Sequence, residues 1–176
     1  MRTEQLRREF GLDLIQTCFP LHPETPEQGQ SLAQLFAGRL DIPRMLARLK
    51  QVADSLGLPF GERTYTYNSR RAQELGKWAL QQGGGEAFDQ AVFRAYFAEG
   101  ENIASPEILL AIVAKIGLPS AEAAEVLEQR TWASAVDADW QRARELGITA
   151  VPTVIYQQRK LVGFADAEDY RRLILD

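Results

Sequence analysis

Cysteine is almost absent from this sequence: Cys18 stands alone among 176 residues. One thiol excludes an intramolecular disulfide, a C-x-x-C redox pair and a multi-cysteine zinc site within these residues. Histidine is equally scarce, with His22 the single one, which excludes a metal centre built on several imidazoles. Positive charge is not in surplus either. The chain carries 20 Lys+Arg against 24 Asp+Glu, a formal net charge of −4. No general affinity for nucleic acid or an anionic membrane follows from that balance. The local pairs Arg70-Arg71 and Arg171-Arg172 read as solvated helix faces rather than as phosphate sites. No apolar run approaches the ~20 residues of a membrane span, and Met1 to Phe10 is charged and lacks an apolar signal-peptide core. These absences predict a cytoplasmic chain with no metal, no membrane partner and no nucleic-acid partner.

What remains is enough to fold. Apolar residues make up 45% of the chain and charged ones 25%, a balance that supports a hydrophobic core. The length suits one domain, or one domain with a large insertion. Thr3 to Glu9 has helical spacing, with Gly11 as a stop. Leu12 to Phe19 has apolar residues on both alternating faces and reads as a strand covered on two sides. The run Pro20-Leu-His-Pro-Glu-Thr-Pro26 holds three prolines in seven residues and is a stiff loop.

From about Leu32 onward the spacing is helical for over a hundred residues. Apolar stripes run through Leu46–Leu56, Ala72–Ala79, Phe88–Phe97 and Ile108–Ile116, then along helices reaching Leu127 and Leu146. Glycines 57, 83–85, 117 and 147 close them. Ser105-Pro106 is an N-cap with proline at the first helical position, and Ser120 is placed to cap the next helix. Asn68 reads as a helix cap; Trp78, Trp132 and Trp140 read as packing residues. The aromatic Phe88–Phe97 stripe reads as core, or alternatively as a helix-dimer face. The last stretch changes character. Val151 to Tyr156 and Leu161 to Phe164 read as a β-hairpin around the polar turn Gln157–Lys160. A final helix over Asp166–Leu175 has Asp166 as its cap.

Four segments, in order, resemble the FrnE branch of the DsbA family. They are Phe19-Pro-Leu-His-Pro-Glu-Thr-Pro26, Tyr67-Asn-Ser-Arg-Arg-Ala-Gln-Glu-Leu-Gly-Lys-Trp78, Val92-Phe-Arg-Ala-Tyr-Phe97 followed by Asn102-Ile103, and Gly147-Ile-Thr-Ala-Val-Pro-Thr153. The resemblance implies an α/β, thioredoxin-like fold with a large all-helical insertion. It divides the chain into a thioredoxin-like part over 1–30 and 147–176 and a helical insertion with its returning helix over 31–146. It also implies a cis peptide before Pro152, with Val151, Pro152 and Thr153 offering main-chain groups to a peptide or to glutathione. His22, in the proline-rich loop, is a candidate lining residue.

In that family a first, central strand leads into a C-P-W-C-like motif at a helix start, where the helix N-terminus lowers the thiol pKa. Neither the strand nor the cysteine pair has a counterpart here, and Cys18 falls at the end of the following strand. Loss of a central strand orphans main-chain groups at about 1–3 kcal/mol each when buried. Three outcomes are expected: the flanking strands close on each other, a partner chain supplies a strand, or the sequence is a piece of a longer protein. The nominal function is protein-disulfide oxidation without the redox pair, hence an inactive or truncated protein. One alternative is a glutathione-binding transferase or isomerase of the kappa/2-hydroxychromene-2-carboxylate type. Another is a non-catalytic peptide-binding or homodimerisation module.

Overall fold

β-branched and apolar residues flanking a short polar turn make the one regular sheet element of the C-terminal stretch. In the computed structural model, which describes residues 2–175 and side chains from Leu6 to Leu175, β3 (Thr153–Tyr156) pairs antiparallel with β4 (Arg159–Val162). The turn is tighter than the sequence indicates. Only Gln157 and Gln158 lie outside the ladder, and Gln157 takes φ +54°, the left-handed conformation that matches a two-residue hairpin to strand twist. Arg159 and Lys160 therefore belong to β4.

The chain divides into two compact units, residues 1–21 with 137–176 and residues 22–136. The boundary falls inside helix α8 (Ala133–Glu145). The first unit holds α1 (Arg2–Phe10), the hairpin and α9 (Ala167–Leu175). Gly11, at φ +62°, ends α1, because only glycine enters that region without steric cost. Leu6, Ala165 and Tyr170 form its buried centre, with Phe10, Val154, Leu161 and Ile174 packed against them. The salt bridge from Arg171 Nε to Glu9 Oε1, 2.9 Å long, ties α9 to α1. Asp166 caps α9 by accepting from the Asp169 N–H at 2.9 Å.

Residues 12–20 correct the sequence reading. Leu12–Phe19 is not a strand: residues 12–20 pair with nothing in a ladder and take no regular structure. Leu14 and Ile15 are 53% and 80% exposed rather than covered on two sides. The alternation is present in the sequence, but a strand exists only where a neighbour takes its main-chain bonds. Closure of this segment onto β3 does not occur.

The second unit is helical. It contains α2 (Leu32–Phe36), α3 (Ile42–Ser55), α4 (Arg70–Gln81), α5 (Gly85–Phe97), α6 (Pro106–Lys115) and α7 (Ser120–Gln129). A two-residue pairing of β1 (Gln30–Ser31) with β2 (Tyr65–Thr66) interrupts the helices and is not visible in the apolar spacing. Leu75, Trp78, Phe88, Leu109, Val113 and Ala123 centre the core, which the spacing in α4–α7 foretells. Ser105 caps α6 by accepting from Ile108 N–H. Ser120 does not cap α7; it is the first helical residue, and Pro119 holds the cap position without a side-chain bond. Phe93 also departs from the expected core stripe at 52% exposed, since a helix of this length turns one flank to solvent.

Candidate functional site

The Val151–Pro152 peptide is cis. It enters the hairpin, and the Pro152 carbonyl accepts from the Gly163 N–H at 2.8 Å. Val151 is 45% exposed. The Thr153 hydroxyl donates to the Ala150 carbonyl at 2.7 Å, which closes the turn ahead of β3. Val151, Pro152 and Thr153 thus lie together at one end of the hairpin. Lys160, on the paired strand, donates to the Leu146 carbonyl just past α8. A cation there interacts favourably with the negative end of the helix dipole.

Cys18 lies in the irregular stretch of the same unit and is half-buried. Its N–H donates to Asp139 Oδ2 at 2.7 Å. No helix begins at Cys18, so the geometry that makes a family cysteine a strong nucleophile is not built around it.

His22 belongs to the second unit. Its ring meets Phe36 edge-on, with centroids 6.1 Å apart, and its carbonyl accepts from Thr25 N–H. The loop that carries it is held firmly. The Asn68 side-chain amide donates to the carbonyls of Pro23 at 3.2 Å and Thr25 at 2.7 Å. Asn68 Oδ1 accepts from Arg70 N–H at 2.8 Å, so it caps the start of α4 from just outside, while the Ser69 hydroxyl at the cap position bonds no helix N–H and accepts from the Gln73 side-chain amide at 3.0 Å instead. Further along, Arg71 pairs with Glu27 at 3.1 Å, and Asn102 donates to the Glu27 carbonyl. A proline-rich run has few donors of its own, so the side-chain amides of Asn68, just before α4, and Asn102, before α6, bond carbonyls of this loop and of Glu27 beyond it instead.

Sequence reasoning missed Glu74. Its carboxylate is buried on α4 and accepts from Arg70 Nε at 2.6 Å and from Arg130 Nε and Nη2 at 2.6 and 2.7 Å. Burial alone would raise its pKa, but the hydrogen bonds and charges of Arg130 and Arg70 together hold it below the ordinary value. The Arg70–Glu74 spacing of four residues was the available signal; the third member, Arg130, comes from the far end of α7. A cavity of about 350 Å³ lies nearby in this unit, lined by Arg71, Pro106, Leu110, Leu127, Glu128 and Arg130 among others. Among the described residues no cluster of three or more metal-ligating side chains occurs, and no helix is long and apolar enough to cross a membrane.

A helical block set into a chain that ends in a hairpin and a helix has a match over nearly the whole length. The DSBA-like thioredoxin domain matches residues 1–174. The chain belongs to the DsbA family. A probable DsbA oxidoreductase from Streptomyces coelicolor superposes with a TM-score of 0.85 at 22% identity, over 97% of this chain and 79% of that one. A 2-hydroxychromene-2-carboxylate isomerase superposes with a TM-score of 0.74 at 20% identity, over 98% of this chain and 83% of that one. These likenesses show a thioredoxin-like fold with a helical insertion. In sequence, the uncharacterized protein YwbO of Bacillus subtilis (strain 168) is 31% identical over 100 residues. That match takes in 56% of this chain and about half the length of the curated relative, 50%. Within the DsbA fold, this chain's one thiol, Cys18, is not at a helix start.

Proposed function

We propose that this chain is a DsbA-family binding module. It holds the main chain of a small thiol or an extended peptide beside Val151, Pro152 and Thr153, and it runs no dithiol–disulfide cycle with its own residues. The observation that carries the reading is the pairing of a DsbA-type fold with a single cysteine. A thiol–disulfide cycle needs one thiolate to attack and a second to resolve the mixed disulfide, and Cys18 has no second thiol to turn to. The hairpin entrance still offers an exposed residue, Val151, beside main chain available for strand-type recognition.

Reduced glutathione titrated into the intact chain by calorimetry tests the binding half. Saturable heat is expected, weakened about fivefold or more by Val151→Asp, which sets a carboxylate against an anionic ligand. Insulin reduction in dithiothreitol tests the other half, with no acceleration over the uncatalysed rate expected. Absence of glutathione heat removes the thiol-binding reading; rapid insulin turnover removes the claim that the chain lacks dithiol chemistry.

A further inference from the structure

Well-packed helices leave few voids larger than a water molecule, so a space of about 350 Å³ among α4, α6 and α7 of the second unit has identifiable makers. Helix α7 packs on both α4 and α6. Pro106 and Leu110, one turn apart on α6, and Ala124 and Leu127, on one face of α7, form the apolar wall. Leu127 is buried. Ala124 brings only a methyl group, so α7 leaves room there. The volume lies at the small end of ligand sites, which limits an occupant to a small molecule.

Three charged side chains complete the lining: Arg71 from α4, Glu128 from α7 and Arg130 at the end of α7. Arg130 donates to Glu74, which also binds Arg70. Two guanidinium groups share that carboxylate, so the cluster keeps one positive charge in excess. Arg71 is half-buried; it donates to the Ala104 carbonyl at 3.3 Å and pairs with Glu27 at 3.1 Å. Glu27 is exposed, and surface pairs of that kind hold weakly, so an incoming anion can take its place. Glu107, on α6, also meets the Arg71 charge, but the Ser105 hydroxyl engages it. Glu128 is the single acid among the lining residues.

We infer that this cavity binds a small organic monocarboxylate. Its apolar body lies against Leu110, Ala124 and Leu127, its carboxylate meets the Arg71 guanidinium, and Arg130 adds positive charge to the same wall. The planar donor fork of arginine matches a carboxylate. The apolar wall selects a carbon body over an inorganic anion. Glu128 selects a single charge, since a second anionic group would meet it as a like charge. The site lies wholly within the second unit and shares no residue with the Val151–Thr153 turn. It therefore goes beyond the glutathione reading, and neither rests on the other.

The test titrates benzoate into the intact chain and follows the backbone amides of Leu110 and Leu127 by NMR. Saturable shifts at both are expected, with a dissociation constant of about 1 mM or below. Benzyl alcohol, of similar size and uncharged, should bind about tenfold or more weakly. Arg71→Gln should weaken benzoate about fivefold or more while leaving the melting temperature nearly unchanged, because its ion pair is at the surface. Ala124→Phe, which sets a ring into the space, should abolish the shifts. Should that variant fail to fold, Arg71→Gln and benzyl alcohol still decide. Shifts confined to other residues, equal binding of benzyl alcohol, or an affinity unaltered in Arg71→Gln or in a folded Ala124→Phe would overturn the inference. An N-acetylated dipeptide ending in leucine that binds more tightly than benzoate would overturn it in favour of a peptide C-terminus. Benzoate carries no thiol and the shifts are read far along the chain from Val151, so this result and the glutathione titration can fail independently.

Discussion

Glu74 is 1% exposed, and its two oxygens are shared between Arg70 and Arg130. An ionised carboxylate survives at such a depth only when paired and hydrogen-bonded. Neutralising it takes the shared carboxylate charge from two guanidinium groups, of which Arg130 keeps partial access to water at 41% exposure and Arg70 still donates to the Ala133 carbonyl. That access tempers the loss. Glu74→Gln is expected to cost about 2–3 kcal/mol, read as a lower urea midpoint at unchanged slope. The folded-state pKa of Glu74 is depressed, so its contribution is fully present above the ordinary value of 4.5 and is lost as pH falls through the folded-state value. Wild-type stability should therefore drop on acidification below about pH 4.5, and Glu74→Gln should flatten that part of the profile. A mutant as acid-sensitive as the wild type would assign the titration to other carboxylates. The sequence carried half of this group, the Arg70–Glu74 spacing on one helix face. The other half depends on where α7 ends, at Arg130 with φ +54°, which no local pattern announces.

At the scale of elements, the helices of the second unit were legible and the links between them were not. The apolar stripes of α4, α5, α6 and α7 set both their extents and their buried faces, because a helix satisfies its main chain internally and needs only one apolar face. The β1–β2 pairing and the approach of residue 61 to the end of α5 depend on distant partners. Gly61 N–H donates to the Phe97 carbonyl at 2.9 Å, and a Cβ on Gly61 would sit 2.2 Å from the Ala98 carbonyl oxygen. Gly61→Ala is expected to cost about 1–3 kcal/mol by forcing the backbones apart. Gly57 supplies the comparison. It has φ +65° and open space around a would-be Cβ, so Gly57→Ala should cost about 1 kcal/mol, the left-handed penalty alone. Thermal melting of both variants decides this; equal shifts would mean that the Gly61 contact yields without strain.

For the whole molecule, the scarce cysteine has a direct consequence. Thiol titration of the unfolded chain should find one group, and mild oxidation should give no intramolecular bridge in mass spectra. Any disulfide should be intermolecular through Cys18 and should vanish in Cys18→Ser, with far-UV circular dichroism unchanged. A folding defect in Cys18→Ser would instead mark the half-buried thiol as a packing residue. The DsbA fold and this thiol count together make the hairpin entrance at Val151 the place where the proposed binding is tested first.

Composition, spacing and ordered motifs by themselves determined that these residues make a DsbA-family chain with a helical insertion, a C-terminal hairpin and a single cysteine among them. Those features are local, carried by helix faces, β-branched runs and a residue count. Only the tertiary structure decided that Leu12–Phe19 is not a strand, that Asn68 holds the proline-rich loop and that Glu74 anchors two arginines. Each of these depends on which main-chain or charged group meets which across long sequence separations, and hydrogen bonds and ion pairs of that kind leave no periodic trace in the chain.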